Sequence, residues 1–214
     1  MVLLVGLAAG FAGFQLFSQF SKPKPAQEAL GLGTTTGNVY SHDKLGFSVS
    51  IPSDWSVGTQ ETMAEVTEMG SKLMGDNEKA VAEAMQMNVA RLLFASRLPQ
   101  GAFTLEFNDN LIVMAERVID VSFLPKSEDD YLDALLLQLN ASNLSYDEIS
   151  KKGKREAGGV ALHRMDSEMS LAGQRILQEY YVIRRDSYFV ALIMSYEGTR
   201  PQWVVDVLDS VTFE

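Results

Sequence analysis

Hydrophobic positions along this chain change their period several times, and each change marks an element. Phe47, Val49 and Ile51 alternate with serines, the two-residue period of a half-buried strand, and Pro52 to Trp55 end it. Met63, Val66, Met69 and Leu73 then share one helical face. Gly75 to Asn77 interrupt that pattern before Ala80, Val81, Ala84 and Met85 resume it. The stretches 103–107 and 111–115 read as two strands joined through Asn108 to Asn110.

Ser127, followed by Glu128, Asp129 and Asp130, has the form of a capping box, in which the hydroxyl accepts from an early backbone N–H. Behind it Tyr131, Leu132, Leu135, Leu136 and Leu139 make an apolar helix stripe. Gly158 and Gly159 open a strand over 160–165, Gly173 opens an alternating run over 174–184, and Asp186 with Ser187 turn into 188–194. A closing helix is expected after Thr199 as its cap. Pro201 would stand in the first turn, where a missing N–H costs little, with Trp203, Val207 and Leu208 facing inward. Sequential strands joined by short turns pair antiparallel, so these patterns predict an α+β domain: an antiparallel sheet flanked by helices.

The two ends of the N-terminal third read differently. Residues 1–20 carry no charged side chain and are just long enough to cross a hydrocarbon layer about 30 Å thick as a helix. No basic run precedes them and no small-x-small cleavage site closes them, which favours a retained membrane anchor over a cleaved signal peptide. Lys22 and Lys24 give a small positive-inside bias toward a cytoplasmic domain; against that slight bias, the expectation taken forward is a membrane-anchored, extracytoplasmic domain. Residues 21–37, rich in Pro, Gly and Thr, read as a linker, so the domain is expected over 38–214.

Composition then excludes more than it selects. The net charge of −10 argues against a nucleic-acid binder, whose footprint is a basic face. The absence of cysteine removes disulfides, thiolate metal sites and cysteine nucleophiles. His42 and His163 are the only histidines, and neither has a second ligand at helical or hairpin spacing. His42 reads as part of a polar turn. No motif assembles a nucleophile with a base, so no catalytic residue, cofactor or metal is assigned and the chain is read as non-enzymatic.

Two clusters invite a binding role. Met63, Met69, Met74, Met85 and Met87, half of the ten methionines, lie within 25 residues. Flexible, polarizable thioethers suit an adaptable partner surface or, at the margin, Cu(I), although packing of helices onto the sheet is the simpler account of them. Lys151, Lys152, Lys154 and Arg155 form the one dense basic run, suited to an anionic surface or to a solvated hairpin turn.

The order of elements, with the Leu45–Trp55 stretch, Gly158–Leu162, Gly173 with Tyr180 and Tyr181, Ser187–Leu192 and Val207–Phe213, resembles the PsbP-like fold. That resemblance covers most of 38–214 and departs over 61–97, where a helical insertion near 61–90 is expected. It implies a sheet flanked by helices and a role through protein contact, without a shared catalytic constellation. The expected function is therefore a membrane-tethered interaction or assembly module; the alternative is a carrier or sensor that buries a small apolar ligand between sheet and helices.

Overall fold

Three tight connections organise the C-terminal half. Gly158 and Gly159, both at positive φ, close strand β7 (Tyr146–Ala157) onto β8 (Val160–Leu171). Glycine is needed at Gly158, where a Cβ would lie 2.7 Å from the Val211 carbonyl oxygen. Gly173 turns β8 into β9 (Gln174–Arg185), and Asp186, at φ 52°, turns β9 into β10 (Tyr188–Glu197). The computed structural model describes residues 24–59, 61–65, 87–99, 106–118, 125–142, 144–171 and 173–214.

With β4 (Ser56–Val57), β5 (Val89–Ser96) and β6 (Asn110–Arg117), these strands form a seven-stranded antiparallel sheet in the order β4-β5-β6-β10-β9-β8-β7. A second, four-stranded antiparallel sheet joins β1 (Thr34–Thr36), β2 (Val39–His42), β3 (Phe47–Ser50) and β11 (Thr212–Phe213). Helix α1 (Ala26–Leu30) packs on β5 and β6, α2 (Glu128–Ala141) on β7 to β9, and α3 (Gln202–Ser210) on β3 and β7.

The large sheet therefore carries a core on each face. Under α2 the core holds Phe94, Ile112, Met114, Tyr131, Leu135 and Phe189. On the other face Leu93, Leu111, Leu192 and Tyr181 meet Phe47 and Val49 of the small sheet and Val204 and Leu208 of α3. The α+β class, the antiparallel pairing and the C-terminal strands agree with the sequence patterns. So does the capping box: the Ser127 hydroxyl accepts from the Asp130 N–H at 3.2 Å, and the Asp130 carboxylate accepts from the Ser127 N–H at 3.0 Å.

Several segments differ. Within the expected helical insertion, 61–65 and 87–88 are helical and 66–86 lie outside the described residues, but Val89 onward is strand β5. That strand is buried on both faces, so its residues never alternate. The described part of the expected linker is built into the fold. Ala26 and Leu30 are buried, and the Gln27 side chain accepts from the Arg91 N–H at 2.7 Å, where a register shift leaves that donor off the ladder. Lys151 to Arg155 lie inside β7 and not in a turn. Thr199 does not cap α3; Pro201 occupies the N-cap position, with no side-chain cap. The connection before β6 differs as well: Asn110 belongs to the ladder, Glu106 and Phe107 do not, and 103–105 fall outside the described residues. His42 is no polar turn but the buried end of β2, paired with Phe47. The expected anchor over 1–20 lies outside the described residues, among which no helix is long and apolar enough to cross a membrane.

Candidate functional site

Strand β9 places Leu177, Glu179, Tyr181 and Ile183 on the face toward the small sheet, so a carboxylate enters an apolar row. Glu179 is 1% exposed. A buried carboxylate is costly unless its lone pairs are filled, and here they are. Its Oε1 accepts from the Tyr196 hydroxyl at 2.6 Å and from Arg200 Nε at 2.7 Å. Its Oε2 accepts from the Tyr181 hydroxyl at 2.6 Å and from Arg200 Nη2 at 3.0 Å. Arg164, on the neighbouring strand, approaches Oε1 at 3.4 Å and binds Asp166 through two parallel bonds of 2.7 and 2.8 Å.

Two guanidinium groups thus balance two carboxylates. Burial pushes the Glu179 carboxyl up, but the hydrogen bonds from Arg200, Tyr181 and Tyr196 outweigh it and hold it below the usual range. Asp166 goes the other way: burial raises it, and Arg164 only partly offsets the rise. Burial, reinforced by Glu179, pushes the Tyr181 and Tyr196 hydroxyls well above 10, so both stay donors. Glu179 has no lone pair left for a substrate; it is a structural hub, and it fixes the chain that leads from β10 into α3.

That chain carries the more accessible feature. Trp203, on the first turn of α3, donates from Nε1 to Asp109 at 3.2 Å, packs 4.6 Å from Trp55 and meets Tyr196 of the hub edge-on at 6.3 Å. Asp206 and Val207, three and four residues on, share its side of the helix. Opposite them, the Asn38 carbonyl accepts from the Ile51 N–H at 2.7 Å and the Asn38 amide donates to the Ile51 carbonyl at 3.2 Å. The Ser210 hydroxyl takes the Ser50 N–H at 2.9 Å, tying this strand end to α3. Between the two walls lies a cleft of about 190 Å3, lined by Asn38, Ser50, Ile51, Ser53, Trp203 and Asp206 among others.

The opposite face of the large sheet holds a different polar set. Ser96, Asn110, Ser195, Gln178 and Ser167 stand directly opposite one another on β5, β6, β10, β9 and β8, a buried row that crosses five strands. Gln178 donates to Ser195 at 3.0 Å and accepts from the Tyr180 hydroxyl at 2.9 Å. Asn110 Oδ1, Ser167 Oγ and the Tyr146 hydroxyl are buried without a hydrogen-bond partner. Ser167 sits beside the Tyr180 hydroxyl, near enough to lower its pKa slightly against the larger effect of burial, but outside hydrogen-bond geometry.

The residues singled out from sequence do not converge on either place. Met63 is 7% exposed and belongs to the core under α2, which removes it from any partner surface. Met87 is half-buried, and Met69, Met74 and Met85 lie outside the described residues. Lys151 pairs with Asp133 at 2.6 Å, Lys152 with Glu148 at 3.2 Å and Arg155 with Asp209 at 2.6 Å, while Lys154 stands opposite His163 on the sheet edge. Lysines and a register shift on an edge strand are a common guard against unwanted strand pairing. His163 meets Asp129 at 2.9 Å, and no three His, Asp or Glu side chains converge among the described residues.

Glu179 and the cleft were missed in the sequence. A signal for the first was present: a Glu in register with Leu177, Tyr181 and Ile183 demands a buried partner. The cleft had none, because its walls are more than 150 residues apart in places, as Ser50 and Ser210 are.

No family model matches the chain, and no curated protein does. Among solved structures it is similar to a protein of Bacteroides thetaiotaomicron VPI-5482 (TM-score 0.44, 12% identity, 84% of this chain and 49% of that one). It is also similar to LpqN of Mycobacterium tuberculosis, which is involved in cell envelope biogenesis (TM-score 0.41, 11% identity, 83% of this chain and 85% of that one). A third likeness, to the Pseudomonas aeruginosa protein PA94 of unknown function, has a TM-score of 0.29 at 14% identity over 50% of this chain and 66% of that one. The chain spans about half the length of the Bacteroides protein, and at these TM-scores the three likenesses bear on neither activity nor partner.

Proposed function

We propose that this chain is a non-enzymatic binding module of the PsbP-like type, held at a membrane by its N-terminal segment, with its working site in the cleft beneath Trp203. The observation that carries this reading is a rigidly held indole lining the same cleft as side chains with spare hydrogen-bonding capacity. Trp203 is fixed by Asp109, Trp55 and Tyr196, so the cleft wall is preorganised and binding orders little. The buried charges beside it are consumed by one another and serve to hold that wall in place.

This favours a small-ligand carrier or sensor over assembly through the Met-rich segment, since Met63 is spent on the core, but with a ligand that meets polar side chains in place of the purely apolar one expected from the sequence. The test is a fragment screen by amide-shift NMR on the full chain in detergent. Hits are expected to move the amides of Asn38, Ser50, Ser53 and Asp206 together. A screen whose hits all map elsewhere, or turnover of a substrate that does not depend on this cleft, would overturn the assignment.

A further inference from the structure

The lining of the cleft specifies a ligand class. We infer that it takes a single neutral, hydroxyl-rich ring, such as a pyranose sugar, lying against Trp203. The inference rests on the cleft being a binding site, as proposed above, and goes on to its chemistry.

Asn38 spends one amide N–H on Ile51 and keeps its Oδ1 and a second N–H. Asp206 accepts from Gln202 on Oδ1 at 2.9 Å and keeps Oδ2. The Ser50 and Ser53 hydroxyls add two rotors, each able to donate and accept. Ile51, Pro52, Val207 and Trp203 make the larger part of the wall apolar. Acceptors outnumber donors, and no cationic side chain lines the cleft, so an anion finds no countercharge and meets the Asp206 carboxylate.

An ammonium ion would satisfy Asp206 and face the indole, but would leave the amide and both hydroxyls to water. A polyol uses all four side chains, and the C–H face of its ring covers the indole and the apolar wall. Size agrees: about 190 Å3 is below the roughly 300–1,000 Å3 of sites for drug-sized ligands, which fits one ring.

The chain's two tryptophans, Trp55 and Trp203, both stand at this place, so intrinsic fluorescence reports it directly. The full chain in a sugar-free detergent is titrated with glucose, galactose, mannose and N-acetylglucosamine, then with butylammonium and with inorganic phosphate. A saturable change with at least one pyranose is expected, with none for butylammonium or phosphate. Asp206→Ala, at an exposed position, should weaken that binding about tenfold or more, the loss expected when a charged acceptor is removed. Ser53→Ala should weaken it less.

Saturation by butylammonium alone overturns the ligand class and leaves the cleft as a cation site. Silence of every pyranose, with NMR fragments still moving the cleft amides, also overturns the class but keeps the binding module. Pyranose binding that Asp206→Ala and Ser53→Ala leave unchanged places the sugar elsewhere and sinks the inference.

Discussion

The two faces of β9 solve the same problem in opposite ways. Gln178 and Glu179 are neighbours, each about 1% exposed, and each must find partners in a low-dielectric interior. On the Glu179 face the group is charged, and two guanidinium groups and two phenols fill its oxygens. On the Gln178 face the groups are neutral, the row extends across five strands, and three buried atoms in or beside it lack a partner. An unpaired buried charge costs several kcal/mol, whereas an unpaired hydroxyl or amide costs about 1–3, so a gap at Glu179 would cost more than the gaps beside Gln178 do. The cleft stands on the charged face, where the hub supplies rigidity; it takes no catalytic group from it.

Breaking the hub should produce the largest effect. Glu179→Ala leaves Arg200, Arg164 and two tyrosine hydroxyls without their common acceptor, and about 3–5 kcal/mol of stability is expected to go. Urea unfolding of the variant checks this, and a loss under about 1 kcal/mol would mean that water replaces the carboxylate freely. Acid attacks the same contact. The folded Glu179 pKa lies below its unfolded value, so its stabilisation is complete above the unfolded value and fades as pH falls through the folded one. Glu179→Gln should therefore flatten the acid limb of the stability curve, while substitutions in the Gln178 row leave that limb unchanged.

Gln178→Leu comes next. It strands the Tyr180 hydroxyl and the Ser195 hydroxyl but no charge, and about 1–3 kcal/mol is expected from the same unfolding measurement. A cost as large as that of Glu179→Ala would show that the neutral row is as tightly coupled as the hub, and the contrast between the faces would fail.

The sequence made some of this architecture readable and hid the rest for physical reasons. Strands β8 to β10 announced themselves through glycines and an Asp-Ser turn that the backbone requires, and α2 through its cap and stripe. Strand β5 was invisible because burial on both faces erases alternation, and β7 because an edge strand bearing Lys151, Lys152 and Lys154 looks like a solvated turn. Residues 26–30 looked like linker because a single turn, Ala26 to Leu30, offers too few positions to show a period. The hub and the polar row depend on register. Glu179 lies opposite Asp166, and Gln178 opposite Ser167, only because β8 and β9 pair as they do, and a slip of one residue would exchange the faces.

Ser167→Ala is the smallest change and the sharpest probe of the neutral face. The Ser167 hydroxyl is 2% exposed at residue level, and its oxygen has no hydrogen-bond partner. Deleting it removes a desolvated polar group and leaves a gap no larger than one oxygen, between Met165 and Met169, whose flexible side chains can close it. The variant should be as stable as the parent or up to about 1 kcal/mol more stable, with the Tyr180 hydroxyl keeping its bond to Gln178. Destabilisation by about 1 kcal/mol or more would mean that Ser167 is bonded in solution through an ordered water reaching Tyr180 or Tyr146. The row would then be a hydrated channel across the sheet, and the two faces would differ in the identity of their partners, protein on one and water on the other, and no longer in how completely they are satisfied.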